Sequence, residues 1–411
     1  MYRKKHNHTR SKALRVSILI LAMGTISFVN FGQFWTAPDY VEDGTAAHLV
    51  EACVRYGGDW IEYSQKWDGS FYYIYYPEED TYSTANNILR HAGTVYSVLL
   101  LYEYTQELRY LRVGYKGIGF LLRHLGQVDE ETSFIKYNDK VKLGGAALCL
   151  LCLTKYKELT DTPYFDEVMV KMGNFLLYMQ KENGWFESTY YYEGDYVNYF
   201  NSSIYPGEAM LALARLYQTT AEEKYLEALD LAYSYYSNLA TFNWRNMAFV
   251  PWTTSAFAEA YHFEENADYA DFALAMSDFV LGYQISEDTY DEQDHNLKGG
   301  FGSEPSVNTA SYMEGLGDAY KLALKLNYSQ KIEDYREALI WGAEWILSLQ
   351  YRHKKIEDLT CPRRAFGGFH HSFKGEGWSD IRVDYTQHSI SALLRLLEAF
   401  TEAELDAIEI R

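Results

Sequence analysis

Six segments of this sequence share one form, and they constrain the fold more than any other feature. Each begins with small or polar residues and continues as a long run rich in Leu, Ala and Tyr. No strand-like block of comparable length accompanies them, so the pattern indicates buried helices. The six segments span residues 87–104, 142–156, 205–217, 251–263, 308–324 and 384–400.

A more amphipathic helix precedes each apolar segment, with charged residues alternating with apolar ones at helical spacing. These helices span roughly residues 46–65, 108–125, 163–181, 221–238, 266–284 and 331–350. Connections from an apolar helix to the next amphipathic one are short, whereas those in the other direction are mostly long. Long loops inside a compact domain are usually functional, and all of these emerge at the N-termini of the apolar helices. The sequence therefore predicts an all-α fold of two concentric rings, with the buried helices inside.

A short element recurs after the amphipathic helices. It reads "QKWDGSF" at 65–71 and "QKENGWF" at 180–186, with looser copies in "GGFGS" at 299–303 and "GGFHHS" at 367–372. With the six helical hairpins, it resembles the six-hairpin (α/α)6-toroid superfamily of glycoside hydrolases, polysaccharide lyases and sugar epimerases. The resemblance covers about residues 45–400 and matches no single family's catalytic signature. It implies an (α/α)6 toroid that acts on a carbohydrate. It does not specify the reaction, because fold by itself does not fix function.

The apolar helices begin with polar first turns, although their remaining residues should be buried. In a closed ring these first turns face the mouth of a central funnel, so they can contact water. Asp384 and His388 share one helical face, and ring closure makes their helix the neighbour of the one that begins with Arg90 and His91. Glu208 lies in the first turn of a third apolar helix, roughly opposite.

Two enzymatic interpretations follow. In the first, Asp384 and Glu208 are the carboxylate pair of a glycoside hydrolase, while Arg90 and the histidines bind substrate or tune protonation. In the second, His91 and His388 are the proton-transferring bases of a sugar epimerase, or of a lyase or epimerase that acts on uronates. Arg90 would then stabilise an enediolate or a carboxylate.

A third interpretation is a catalytically inactive toroid that binds glycan or serves as a scaffold for polymer export. A terpene-cyclase toroid is disfavoured, because the sequence has no DDxxD or DxDD motif.

The long loops and helix starts supply candidate sugar-binding side chains. The chain has 39 Tyr, 21 Phe and 9 Trp, and flat rings with a polar tip suit a sugar. The predicted substrate-binding residues, besides Arg90, are Trp185, Tyr192, His370, His371, Trp378, Tyr385 and Gln387. No cofactor or metal is predicted, because the acidic stretch 288–296 lacks the glycine and terminal glutamate of an EF-hand.

Charge divides the chain into a basic start and an acidic body. Residues 1–35 contain six basic side chains and no acidic one, so the remaining 31 basic and 57 acidic side chains give a net charge of −26. Such a body is a poor partner for nucleic acid. Residues 16–35 carry no charge and are long enough to span a bilayer, although a cleaved signal peptide is the alternative.

The predicted organisation has five parts. They are a cytoplasmic tail (1–15), a transmembrane signal anchor (16–35), a linker (36–44), the toroid (45–402) and a C-terminal tail (403–411). The predicted location is the cell membrane, with a single span and the main domain outside. Cys149 and Cys152 are interpreted as core residues of a helix, because leucines surround both.

Overall fold

The computed structural model describes residues 44–136, 138–194, 196–198 and 202–410. Twelve helices of 14 to 20 residues alternate between an outer and an inner ring. The outer helices are α1 (Ala46–Ser64), α3 (Leu108–Leu122), α5 (Asp166–Met179), α7 (Glu223–Tyr236), α9 (Ala267–Leu281) and α11 (Ser329–Ser348). The inner helices are α2 (Ile88–Thr105), α4 (Leu143–Thr160), α6 (Tyr205–Thr220), α8 (Val250–Glu264), α10 (Thr309–Leu326) and α12 (Val383–Ala399). The predicted hairpins and their order are confirmed.

The inner helices form a closed ring. Each packs against the inner helices before and after it, and α12 returns to pack against α2. At that seam, Ser391 Oγ donates to Ser97 Oγ over 2.9 Å, and Ser97 Oγ donates to the backbone oxygen of Gln387, also over 2.9 Å. The first and sixth inner helices are therefore neighbours, as closure of a six-membered ring requires.

Five inner helices end in the same way. The residue after the last turn adopts the left-handed conformation and donates its backbone N–H to a carbonyl of the last turn. These residues are Gln106, Asp161, Ala221, Glu265 and Asn327. Each reverses the chain within a few residues, so the next outer helix packs directly on the inner helix that it follows.

The recurring turn element joins neighbouring outer helices. In each copy, the glutamine side chain donates Nε2–H to a glycine carbonyl of its own turn and to a carbonyl of another outer helix. The four glutamines are Gln65, Gln180, Gln284 and Gln350. Each turn glycine has a positive φ and lies against a backbone carbonyl of an outer helix, where a Cβ would not fit. The element therefore fixes the spacing of the outer ring, and Gln350 joins α11 to α1.

The long loops contain eight short strands, so the expectation of a purely helical chain is corrected. The strands are β1 (Ile74–Tyr76), β2 (Thr81–Tyr82), β3 (Leu125–Asp129), β4 (Thr132–Ile135), β5 (Val141–Lys142), β6 (Thr189–Tyr191), β7 (Tyr196–Asn198) and β8 (Ile381–Arg382). They form three antiparallel sheets, in the orders β2-β1-β8, β3-β4 and β5-β6-β7. Because β5 and β8 continue directly into α4 and α12, these sheets hold the loops over the N-termini of the inner helices.

The inner ring provides most of the core. Cys149 and Cys152 on α4 are fully buried, and burial raises the pKa of Cys149 to about 12, as expected of core thiols. The packed domain extends past the predicted boundary at 402, because Leu405 and Ile408 are buried as well.

The predicted cytoplasmic tail, membrane span and most of the linker lie outside the described residues. Within residues 44–410, as far as the structure describes them, no helix is both long and apolar enough to cross a bilayer.

Candidate active site at the funnel mouth

A cavity of about 350 Å³ lies at the N-terminal ends of the inner helices. Six of the predicted site residues line it: Arg90, Glu208, His371, Asp384, Tyr385 and His388. Further lining residues that the sequence analysis did not select are Trp252, Asn308, Ser311, Tyr312 and Arg382. The cavity is large enough for a small sugar and is polar on several sides.

The cavity residue His388 makes a close contact with the carboxylate of Glu314. Its Nδ1 lies 2.7 Å from Oε2 of Glu314, a residue of α10. Both side chains are largely buried, with 12% of the His388 side chain and 9% of that of Glu314 exposed. A carboxylate on one ring nitrogen fixes the orientation of the imidazole and leaves Nε2 as the free nitrogen. This arrangement is typical of a histidine that exchanges a proton with a ligand.

Asp384 is held by two guanidinium groups. Arg382 donates from Nε to Oδ1 over 3.0 Å and from Nη2 to Oδ2 over 2.6 Å. Arg90 approaches the same carboxylate, with its Nε 3.2 Å from Oδ2. Because Asp384 is buried and both of its oxygens accept charge-assisted hydrogen bonds, the orientation of its carboxylate is fixed. The fixed carboxylate of Asp384 therefore orients the guanidinium of Arg90 at the cavity.

Glu208 is the carboxyl group in the cavity that has no cationic hydrogen-bonding partner. It is buried in the first turn of α6, and its Oε2 has no hydrogen bond. Burial raises the pKa of Glu208 to about 7, although the positive charges of Arg90 and His388 oppose that shift. Gly144, at the start of α4, makes the room for this carboxyl, because a Cβ there would overlap Oε2. Glu208 can therefore give and take a proton near neutral pH.

Aromatic side chains form part of the cavity wall. The ring of Trp252 lies 6.3 Å from that of His388, edge to face, in the first turn of α8. Tyr385 accepts a hydrogen bond from Nη1 of Arg382 over 2.8 Å, and burial raises its pKa to about 12. The Tyr385 hydroxyl therefore stays neutral at ordinary pH, and both rings offer apolar faces to a ligand beside polar groups.

His91 does not line the cavity, so its predicted placement is wrong. Its Nδ1 accepts the backbone N–H of Phe71 over 3.2 Å, and its Nε2 lies 2.6 Å from Oδ1 of Asn86. Thr309 and Thr386 accept the equivalent N–H in two other copies of the turn element, from Phe301 and Phe369. Burial lowers the pKa of His91 to about 4. His91 is thus a neutral buried acceptor that anchors a turn.

The other predicted binding residues also lie outside the cavity lining. Gln387 is buried between α12 and α2, where its amide fills the space beside Gly93. His370 is buried with Nδ1 2.7 Å from the carbonyl of Ser372, and burial together with the charge of Lys355 lowers its pKa to about 3. Packing in the interior therefore determines the positions of the Gln387 and His370 side chains.

The three remaining aromatic residues occupy loops. Tyr192 donates its hydroxyl to the carbonyl of Asn138 and lines a separate depression beside β3 and β4. Trp185 is partly buried against the core in the turn that follows α5. Trp378 is 40% exposed, with its ring 6.0 Å from that of His370. The sequence could predict their loops but not the direction of their side chains.

Ion pairs between neighbouring inner helices line the other end of the central axis. Four such pairs surround a smaller cavity of about 90 Å³. They are Lys155 with Glu103 (2.6 Å), Arg215 with Glu259 (3.0 Å), Lys321 with Glu398 (2.6 Å) and Arg395 with Asp318 (3.0 Å). Each cation has an anion, so this end has no unbalanced charge to offer a ligand.

No group of three or more His, Cys, Asp or Glu side chains among the described residues is arranged to hold a metal ion.

No protein-family model and no curated protein sequence matches this chain. Solved structures do resemble it. The cellobiose 2-epimerase of Bacillus thermoamylovorans B4167 aligns with a TM-score of 0.64 at 9% identity, over 86% of this chain and 98% of its own. A D-mannose isomerase aligns with a TM-score of 0.62 at 12% identity, over 88% of this chain and 100% of its own.

An α-1,6-mannanase of glycoside hydrolase family 76, GH76A of Salegentibacter sp. HEL1_6, aligns with a TM-score of 0.60 at 12% identity, over 85% of this chain and 99% of its own. These structures and this chain share the (α/α)6 toroid fold. At these identities the likeness establishes the (α/α)6 toroid and nothing finer.

Proposed function

We propose that this toroid is a carbohydrate isomerase or epimerase that moves a proton at the carbon next to a sugar carbonyl. The observation that carries the proposal is the pairing of Glu314 with His388, which lines the same cavity as the high-pKa carboxyl of Glu208. One group is a base with a fixed free nitrogen, and the other is an acid that is protonated near neutral pH. Reversible proton transfer needs both.

The reaction begins with an open-chain sugar in the cavity. Nε2 of His388 takes the proton from C2, and the electron pair of the broken C–H bond forms the C1=C2 double bond of an enediolate. Arg90 has N–H groups beyond the Nε–Asp384 contact, and these stabilise the negative charge on oxygen. Glu208 then donates its proton to C2 from the opposite face, which inverts C2. The proton held by His388 passes through solvent to the Glu208 carboxylate, so both groups return to their starting forms. If a proton is delivered to C1 instead, the hydroxyl proton on O2 passes to O1 as the C2=O bond forms, and an aldose becomes a ketose.

The substrate class follows from the cavity and from the neighbours. A volume of about 350 Å³ suits one or two sugar rings rather than a buried polymer segment. Among the solved structures of the same fold are a cellobiose 2-epimerase and a D-mannose isomerase. We therefore propose a reducing mono- or disaccharide as substrate, and a uronate is a variant that Arg90 could accommodate.

Hydrolysis of a glycosidic bond is the second candidate. Asp384 and Glu208 line the same cavity, which is the observation in its favour, and the neighbours include an α-1,6-mannanase. Against it, both oxygens of Asp384 accept hydrogen bonds from Arg382, so neither oxygen is free to activate a water molecule or to attack carbon. A hydrolytic pair needs two carboxyl groups that are free to act on the substrate or on water. Of these two, only Glu208 has an oxygen without a hydrogen-bonding partner.

One experiment separates these functions. The full-length chain is incubated in D₂O with mannose, glucose, cellobiose and a uronate, and deuterium at C1 and C2 is followed by NMR beside an assay of reducing ends on α-mannan. Proton transfer predicts deuterium incorporation that His388→Gln and Glu208→Gln abolish and that His262→Gln, a substitution in the last turn of α8, leaves intact. New reducing ends without deuterium incorporation would instead establish a hydrolase, and glycan binding without either reaction a binding module.

Membrane attachment through residues 16–35 is a further part of the proposal. The C-terminal end of α1 leads into the turn that holds Phe71 against His91, at the funnel mouth. The N-terminal end of α1 therefore lies at the opposite end of the ring, and an anchor there would leave the cavity facing away from the bilayer. Fractionation of cells that express the full chain tests the attachment, because recovery in the soluble fraction without detergent would contradict it.

A further inference from the structure

Behind the His388–Glu314 pair lies a second ionic pair that the proposed reaction does not use directly. Arg395 is on α12, two turns beyond His388, and its Nη1 lies 4.0 Å from Oε1 of Glu314. Its Nε donates to Oδ1 of Asp318 over 3.0 Å, and Asp318 accepts a hydrogen bond from Ser255 over 2.6 Å. A continuous line of charges therefore runs from the cavity toward the other end of the ring.

This line alternates in sign and is largely closed to solvent. Only 12% of the Arg395 side chain and 20% of that of Asp318 are exposed. Burial by itself would raise the pKa of Asp318, but Arg395 and Lys321 outweigh it and hold that pKa below its ordinary value. Asp318 is therefore an anion at neutral pH. Charges at this depth interact more strongly than on the surface, because water screens them less.

Helix packing holds the arginine in place. Gly317 of α10 faces the stem of Arg395, where a Cβ would lie 3.0 Å from its Cβ and 3.1 Å from its Cδ. Arg395 Nη1 also donates to the carbonyl of Ser391 over 3.0 Å. The guanidinium thus has little freedom to leave the Glu314 carboxylate when a substrate binds.

We propose that Arg395 and Asp318 are positioning residues that set the proton affinity of His388 through Glu314. The proposal rests on the proton-transfer function above. The positive charge of Arg395 partly balances the Glu314 carboxylate, so that the carboxylate orients His388 without holding it as an imidazolium. The negative charge of Asp318 in turn limits how strongly the positive charge of Arg395 offsets that of the Glu314 carboxylate.

Other charged groups act on the same histidine. Those that share its cavity from other elements, or from its own helix, are Arg90, Glu208, His371, Arg382 and Asp384. They remain in place in variants at positions 318 and 395, so a change in the pH profile of those variants reports the pair itself.

The signs of the expected effects are opposite. Arg395→Met removes the cation that balances Glu314 and leaves Asp318 as a second anion, so the imidazolium is favoured and the acidic limb of the kcat/KM profile moves to higher pH. Asp318→Asn leaves Arg395 uncompensated, so the imidazolium is disfavoured and the same limb moves to lower pH. Each displacement should be about 0.5–1 pH unit, as for charges that act across a few ångströms of protein interior. A purely structural role would give both variants the same loss.

The test measures pH profiles of deuterium exchange for the full-length chain and the variants Arg395→Met, Arg395→Lys and Asp318→Asn. Lys155→Met is the matched control, because Lys155 is a buried cation of another ion pair between inner helices and does not contact Glu314. Arg395→Lys should restore most of the wild-type profile. Displacement of both variants in one direction, or equal displacement in the control, would overturn the proposal.

A second readout does not depend on turnover. The imidazole of His388 is titrated by NMR in chains carrying ¹³C-labelled histidine, with the resonance assigned from its absence in His388→Asn. Its midpoint should move up in Arg395→Met and down in Asp318→Asn. If the wild type catalyses no exchange with any sugar, the proton-transfer function fails, yet these midpoints still decide whether the pair controls His388. If Arg395→Met does not fold, the downward shift in Asp318→Asn remains decisive, and its absence contradicts the proposal.

Discussion

Nδ1 of His388 and Oε2 of Glu314 lie 2.7 Å apart although 74 residues separate them in the chain. The ring brings them together, since α10 and α12 are neighbours in it. The contact assigns different duties to the two ring nitrogens, because Nδ1 is held by the carboxylate and Nε2 is left for a ligand. The cavity therefore contains one imidazole of fixed orientation.

The first prediction concerns that carboxylate. Glu314→Gln keeps the size of the side chain but removes the charge that stabilises an imidazolium and selects the tautomer, so kcat/KM for deuterium exchange should fall about 10²–10⁴-fold. Glu398→Gln removes the carboxylate of α12 that pairs with Lys321, and it should change kcat/KM less than twofold. Circular dichroism checks that both variants are folded. An unchanged rate in Glu314→Gln would mean that His388 needs no partner.

The second prediction concerns pH and Glu208. Its folded-state pKa of about 7 lies above the value near 4.3 of an exposed glutamate, so the native state binds more protons than the unfolded state between these values. Stability from this group is present at low pH and lost as pH rises through about 7. The free energy of unfolding of the wild type, relative to that of Glu208→Gln, should fall by about 2–3 kcal/mol between pH 5 and pH 8.

Urea unfolding of both chains at the two pH values measures that difference, and comparing each chain with itself cancels effects of the substitution that do not depend on pH. A constant difference between the two chains would show that Glu208 ionises normally. Catalysis that depends on protonated Glu208 should decline over the same range, as pH rises through about 7.

The third prediction uses two glycines. Gly144→Ala places a Cβ on Oε2 of Glu208 and 2.6 Å from Cδ1 of Tyr205, so the acid must move and the rate should fall about 10²-fold. Gly119→Ala, on the exposed side of α3, meets no atom within 4 Å and should leave the rate unchanged while stabilising the helix by about 0.5–1 kcal/mol. Rate and thermal stability are measured together. Equal rates in the two variants would show that the position of Glu208 is unimportant.

The fourth prediction separates the two histidines that the sequence placed together. His91→Ala removes the acceptor of the Phe71 N–H and leaves a buried gap, which should lower the free energy of unfolding by about 2–4 kcal/mol without changing the rate per folded molecule. His388→Ala should instead abolish the rate per folded molecule, and its loss of stability should come from leaving the buried Glu314 carboxylate without its imidazole partner. Denaturation curves and active-fraction assays on the same samples decide, and loss of activity in folded His91→Ala would return His91 to the site.

The repeat pattern predicted the ring, its loops and its open end, because the number of hairpins and the alternation of loop lengths are local properties of the sequence. It also predicted that Arg90, Glu208, Asp384 and His388 would share the funnel, since each lies within the first two turns of an inner helix. Helix starts are the part of such a pattern that is easiest to place.

The sequence did contain a signal for the partner that was missed. Glu314 and Asp318 are acids four residues apart in an inner helix, and two buried carboxylates on one helical face require cations from a neighbouring helix. The spacing of Asp384, His388 and Arg395 places all three on one face of α12, but only the packing of α10 against α12 brings Arg395 to these acids.

The sequence by itself determined the six hairpins, the closed ring and the mouth at which the polar first turns meet. Only the tertiary structure decided which side chains work there. Arg90 and His91 are adjacent in the chain, yet consecutive residues of a helix point about 100° apart, so one faces the cavity and the other anchors a turn. Helix rotation and packing set that choice, and neither can be read from periodicity alone.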